Sequence, residues 1–265
     1  MVKLFMCRIV AILALLLCAG CATLYNPATE KKEFIFINSS METAIGKNVV
    51  GQLLSEHPES KDVNIQERVK AVGNRVAAVS ERKDIAYTFS VIDDKELNAM
   101  ALPGGFIYIN KGLVEILTND ELAFVLGHEI GHVAARHLAK KMQANIGYQL
   151  LLALAFSVGS QTDAANAKTV AQSADAVYNL VQLGYSRKDE LEADRLGVRY
   201  SLSAGYDPRA GISALEKLKK ESGQGANVPS YLRTHPYIEE RVAALKVAIP
   251  QAMLRAKNSQ LTHKE

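Results

Sequence analysis

His128-Glu129-Ile130-Gly131-His132 stands in the middle of an unbroken helical pattern. Thr118-Asn119-Asp120-Glu121 reads as a capping box that opens the helix, which runs on through His137 to about residue 143. Histidines at i and i+4 project from one face about one turn apart, so both imidazoles can grip one tetrahedral metal ion. Glu129 follows the first histidine, where its carboxylate reaches a water on that ion without occupying the ion itself, the placement of a general base. Two histidines leave a third ligand to be found. A histidine six residues beyond His132 would supply it, but Leu138 stands there, and His137 is rotated away around the helix as a helix-face or outer residue.

A downstream carboxylate is the other solution, and residues 186–197, SRKDELEADRLG, offer three. Glu190 and Asp194 share a helical face, while Glu192 points to the opposite side. Glu190 as ligand, with Asp194 accepting the N–H of a liganding histidine, provides the ligand and its support from one short helix. Without the upstream histidine pair the same acidic cluster would read as a solvated face partnered by Arg187, Lys188 and Arg195. His235, in Thr234-His235-Pro236, has two functional readings: donor to the oxyanion of a tetrahedral intermediate, or an imidazole that closes the open metal position at rest. Arg241, six residues on, is expected to orient the substrate carbonyl. His57 and His263 lie in polar segments and receive no role.

Around these motifs the chain reads as an α+β, mostly helical domain with a small sheet beside the His-Glu-x-x-His helix. Ile65, Val69, Val72, Val76 and Val79 form the stripe of an amphipathic helix within residues 62–82. Tyr87, Phe89 and Val91 alternate as a strand, and residues 98–102 and 106–109 form two more, joined by a turn at Pro103-Gly104-Gly105. Residues 146–158 are apolar but short for crossing a bilayer, and read as a buried or cleft-covering helix, with 160–176 as a lid or plug. Further helices are expected over 186–203, 208–222 and 238–248.

Lys3 and Arg8 precede a short apolar run at 9–17, and Leu17-Cys18-Ala19-Gly20-Cys21 resembles a lipobox. Residues 1–20 are therefore expected to be a lipoprotein signal peptide, Cys21 the lipidated residue, 21–40 a tether, 41–250 the catalytic domain and 251–265 a polar tail. The chain has three cysteines, and removal of the leader takes Cys7 and Cys18, leaving no pair for an internal disulfide. A formal net charge of +3 over 265 residues argues against a nucleic-acid binder. Ala22 after the acylated cysteine favours the periplasmic side of the outer membrane over inner-membrane retention.

HEIGHVAARH, SRKDELEADRLG and THPYIEER, preceded by NAMALPGGFIYINKGL, occur in order from residue 98 to 241. Together they resemble the gluzincin-type zinc metallopeptidase family that holds the CAAX prenyl proteases and the HtpX, BepA and LoiP peptidases, with the small periplasmic lipoprotein members nearest. The resemblance implies one zinc ion per chain, with Glu190 as its third ligand beside His128 and His132. It also implies an edge strand after Gly104 and Gly105, with Phe106, Ile107 and Tyr108 beside the cleft binding an extended substrate. The implied activity is endopeptidase cleavage of unfolded or misassembled envelope proteins, with the outer-membrane assembly machinery as a further partner. A zinc-stabilised chaperone or assembly factor with little proteolysis is the rival from another class, and a structural lipoprotein without zinc is the third.

Overall fold

The computed structural model describes residues 23–156, 174–222 and 228–262. Strands β1 (Thr23–Asn26) and β2 (Lys31–Phe34) pair antiparallel, with Asn26 opposite Lys31. Helix α1 (Ser39–Glu56) is capped by Asn38, and α2 (Val63–Ala77) by Asp62, whose side chain accepts from the amides of Asn64 and Ile65. This start departs from the expected tether at 21–40. Asn26 is buried and donates to the carbonyl of Ala134 at 3.0 Å, and Ala28 is fully buried in the main core. The polar composition of this stretch hid a hairpin held by side-chain hydrogen bonds instead of apolar area. Helix α1, to which no element was assigned, buries Ile45, Val49 and Leu53 at steps of four in a smaller core with Met100, Leu102 and Tyr108.

Strands β3 (Thr88–Ile92), β4 (Ala99–Leu102) and β5 (Phe106–Asn110) form a sheet of order β3-β5-β4. Strand β5 runs parallel to β3, with Ile107 opposite Phe89, and antiparallel to β4, with Ile107 opposite Ala101. The expectation that Phe106, Ile107 and Tyr108 lie on an edge strand is therefore corrected: β5 is central, and β3 and β4 are the two edges of this sheet. Gly104 and Gly105 adopt φ of 82° and 88°, which a side chain resists. A Cβ on Gly104 would sit 2.5 Å from Thr43 Cα, so this turn packs closely against α1.

The remaining helices are α3 (Lys111–Ile116), α4 (Asn119–Ala134), α5 (His137–Phe156), α6 (Ala174–Gln182), α7 (Arg187–Ser203), α8 (Ala210–Ser222), α9 (Ser230–Thr234) and α10 (Ile238–Thr262). The capping box at Thr118 is present, and α4 is buried from Glu121 to Ala134 between α2, α7 and α8. Its backbone touches that of α7: a Cβ on Gly131 would lie 3.0 Å from Ala193 O, and one on Gly197 3.1 Å from His128 N. Small residues at these crossings bring the two motif-bearing helices to the distance their side chains need.

The single helix expected over 118–143 is broken in two. Arg136 takes φ 57°, and its guanidinium is drawn to Glu42 at 2.5 Å and Ser39 Oγ at 3.3 Å. Arg82 and Asn26 accept the duty of pairing the last carbonyls of α4, at Val133 and Ala134. The break starts α5 at His137 and turns that ring back toward His132. At the other end, α10 passes through Pro250 and continues to Thr262, which corrects the expected tail at 251–265; Ile249 is anchored in the main core. Residues 146–156 continue α5, whereas the leader at 1–20, Cys21 and most of the expected lid at 160–176 lie outside the described residues. Among the described residues no helix is long and apolar enough to cross a membrane.

Candidate metal centre

His128 and His132 come from α4, Glu190 from the first turn of α7, and His235 from the residue that ends α9. The capping box of Ser186 with Asp189 fixes the start of α7 and so the height of Glu190. The backbone amide of His235 donates to Tyr231 O at 2.7 Å, which holds its ring over the same point. All four side chains are buried, and one ligand atom from each lies within 4.8 Å of the others. His128 Nε2 is 3.0 Å from His132 Nε2 and 3.2 Å from His235 Nδ1. Glu190 brings its carboxylate oxygens 3.1 Å from His235 Nδ1, 3.4 Å from His132 Nε2 and 3.5 Å from His128 Nε2.

A tetrahedral ion with nitrogen and oxygen ligands at about 2.0–2.1 Å keeps neighbouring ligand atoms roughly 3.3 Å apart. The observed separations fit that polyhedron. The donor set fits as well: His128 Nδ1 faces Asp194 Oδ1 at 2.8 Å, so its proton resides there and its Nε2 presents a bare lone pair to the cluster. Burial holds the His132 imidazole well below its usual range, hence neutral, as a ligand must be. Burial pushes the Glu190 carboxyl up, but Arg241 and His235 outweigh it and hold it well below the ordinary carboxylate range. Lone pairs and a carboxylate converging on one buried point are the signature of a cation site.

Glu129 follows His128 on α4. It is fully buried, and neither carboxylate oxygen has a hydrogen-bond partner among the described residues; His235 Nε2 lies 3.5 Å from Oε1. Asp194 lies between His128 and Arg241. The expectation that Arg241 orients a substrate carbonyl is corrected, because the side chain is fully buried and committed to other groups. Its Nε and Nη2 fork onto Asp194 at 2.8 and 2.7 Å, and Nη1 lies 2.8 Å from Glu190 Oε2 as an ion pair without hydrogen-bond alignment. Arg241 thus neutralises the two acidic members of α7 from behind.

The sequence reading missed two aromatic walls. Tyr185 stacks on His132 with ring centroids 3.8 Å apart, and Tyr231 stacks on His235 at 4.5 Å. Tyr185 directly precedes the capping serine of α7, the one signal that could have marked it. Glu192, placed on the far face of α7, nevertheless reaches His137, and that hydrogen bond foremost holds its carboxyl down at about 2. A cleft beside His132 is lined by Ala101 and Leu102 of β4, by Pro103, and by Tyr185 and Leu138. Phe106, Ile107 and Tyr108 do not line it.

Comparison with known proteins covers this whole arrangement. The model of "Peptidase family M48" matches residues 64–249, from α2 to α10. A putative beta-barrel assembly-enhancing protease of Vibrio cholerae is 32% identical over 205 residues, 76% of this chain and 42% of that protein. The beta-barrel assembly-enhancing protease of Escherichia coli is 28% identical over 216 residues, 78% of this chain and 43% of the relative. Mitochondrial metalloendopeptidase OMA1 of Schizosaccharomyces pombe is 27% identical over 246 residues, 90% of this chain and 70% of its own length. The chain thus spans about two fifths of the two bacterial relatives. With both motif-bearing helices, Glu129 and Arg241 all inside the matched region, the chain belongs to peptidase family M48.

Proposed function

We propose that the chain is a zinc-dependent endopeptidase that cuts unfolded or misassembled polypeptides of the bacterial cell envelope. The observation that supports this most is the convergence of His128, His132 and Glu190 on one point beside Glu129, whose buried oxygens have no hydrogen-bond partner among the described residues. Those three residues would hold the zinc. A zinc ion held there would supply a bound water of pKa about 7 and Lewis-acid polarisation of the scissile carbonyl. Glu129 takes the proton of the attacking water and returns it to the leaving amine. Asp194 keeps the His128 proton on Nδ1, and Arg241 keeps Asp194 and Glu190 ionised where burial alone would protonate them. Strand β4, with its free side at the cleft, offers main-chain groups to an extended polypeptide.

The envelope setting draws on the leader sequence with Cys21, read as a lipid anchor, and on the relatives named for beta-barrel assembly. The signal peptide at 1–20, lipidation and the periplasmic face of the outer membrane belong to this proposal, as does contact with the assembly machinery.

His235 is assigned the closing role. Its Nδ1 lies as near to Glu190 and His128 as those residues lie to His132, so it fills the fourth position of the cluster. His235→Ala is expected to retain zinc and to raise turnover of unfolded casein by roughly tenfold, the gain when a closed state that dominates at rest is removed. Turnover normalised to zinc content, with chelated protein as the inactive control, tests both parts. A fall of about 10²–10³ would instead make His235 an oxyanion donor, and cleavage that persists after complete chelation would overturn the metallopeptidase mechanism.

A further inference from the structure

One line of side chains leaves the metal centre and ends at the N-terminal hairpin. His132 Nδ1 faces His137 Nδ1 at 2.9 Å, His137 Nε2 faces Glu192 Oε2 at 3.3 Å, and Lys31 Nζ donates to Glu192 Oε1 at 2.7 Å. The members come from α4, α5, α7 and β2, so the line joins three separate stretches of the chain. His137 is buried, Glu192 is nearly so, and Lys31 is half-exposed. Asp189 is the other carboxylate near His137, with Oδ1 3.6 Å from Nε2, farther than Glu192, while its Oδ2 accepts from the Ser186 cap.

One arrangement of protons satisfies every atom in this line. His132 must present a bare Nε2 to the cluster, so its proton sits on Nδ1 and is donated to His137 Nδ1. The proton of His137 then sits on Nε2 and is donated to Glu192, whose second oxygen accepts from Lys31. The opposite order would place a proton on His132 Nε2, in the middle of the ligand cluster, and remove it as a ligand. His128 has the corresponding support in Asp194 and Arg241, all of it buried. The support for His132 instead runs outward, to a hairpin also fastened to α4 by Asn26, to α5 by Glu33 with Lys140, and to α7 by Ala28 with Arg195.

We propose that His137 is the positioning residue for the metal ligand His132, and that Glu192, held by Lys31, fixes the tautomer of His137, making the N-terminal hairpin the outer layer of the metal centre. This rests on the metal reading of His128, His132 and Glu190. Competition of the full chain against a zinc chelator tests it. His137→Ala is expected to weaken zinc binding by about 10–100-fold, and Glu192→Ala by about tenfold. Lys31→Met is expected to cause a smaller loss. His137→Gln, whose amide oxygen accepts the same hydrogen bond, is expected to recover part of the affinity. The double variant His137→Ala/Glu192→Ala is expected to lose no more than His137→Ala alone, because both act through one line, whereas two unrelated structural effects would add. Should His137→Ala fail to fold, Glu192→Ala and Lys31→Met carry the test from the partly exposed end. Wild type that binds no zinc overturns the metal reading and this inference with it. Wild type that binds zinc, with unchanged affinity in Glu192→Ala and either His137 variant, overturns this inference alone.

Discussion

Glu129→Gln is expected to keep its metal and to lose peptidase activity by about 10²–10⁴-fold, the range of a positioned general base. Glutamine has nearly the same shape, so the site should assemble unchanged. No carboxylate oxygen of Glu129 is part of the four-atom cluster, and its nearest charged partner is His235 at 3.5 Å. The amide cannot accept the water proton, nor return it to the leaving amine. Zinc content and casein cleavage, measured on the same preparation, check both halves. An active variant would place the base elsewhere, and a variant stripped of zinc would make Glu129 a ligand. The same protein separates a protease from a binding factor: if Glu129→Gln fully restores envelope assembly in cells lacking the wild type, cleavage is not the function there.

The second large effect falls on stability. Arg241 is fully buried against Asp194 and Glu190, and Arg241→Ala leaves two carboxylates in the interior without a counter-charge. Losing one partner of such a network costs about 3–5 kcal/mol. Arg241→Lys should recover little, since one ammonium cannot fork onto Asp194 and still face Glu190. The pH dependence has a definite sign. Burial pushes both carboxyls up, yet Arg241 leads the groups that bring Asp194 below and Glu190 well below their ordinary values. Their contribution is therefore full above the unfolded values of about 4 and is lost as pH falls through the lower folded ones. Removing Arg241 reverses the direction of these shifts, so the stability gap between wild type and variant should narrow below about pH 4. Urea denaturation of chelated protein at pH 7 and pH 3.5 measures it; a gap that stays constant would show that Arg241 does not set these carboxyls.

Helix α4 and its chemistry were readable because their signals are local. A capping box, an i, i+4 histidine pair and a second i, i+4 pair of carboxylates each lie within one helix, where spacing determines direction. What escaped was set by contacts between distant parts of the chain. Nothing near Arg136 announces a left-handed residue; Glu42 and Ser39, nearly a hundred positions away, draw it out of the helix, and that break alone brings His137 onto His132. The rotation that was read as carrying His137 away assumed one continuous helix. Strand β5 looked like an edge because its partner β3 lies before β4 in the chain, and a parallel pairing leaves no turn signal. Arg241 was read from its place six residues after His235, whereas its partners lie on α7 across the interface.

Zinc stoichiometry of the purified full-length chain, beside that of Glu190→Ala, tests the central claim most directly. The account predicts one zinc per wild-type chain and a small fraction of that in Glu190→Ala, because only the imidazoles of His128, His132 and His235 then remain and the one anion of the cluster, which also faces Arg241, is lost. Wild type without zinc, or Glu190→Ala with a full complement, would contradict it.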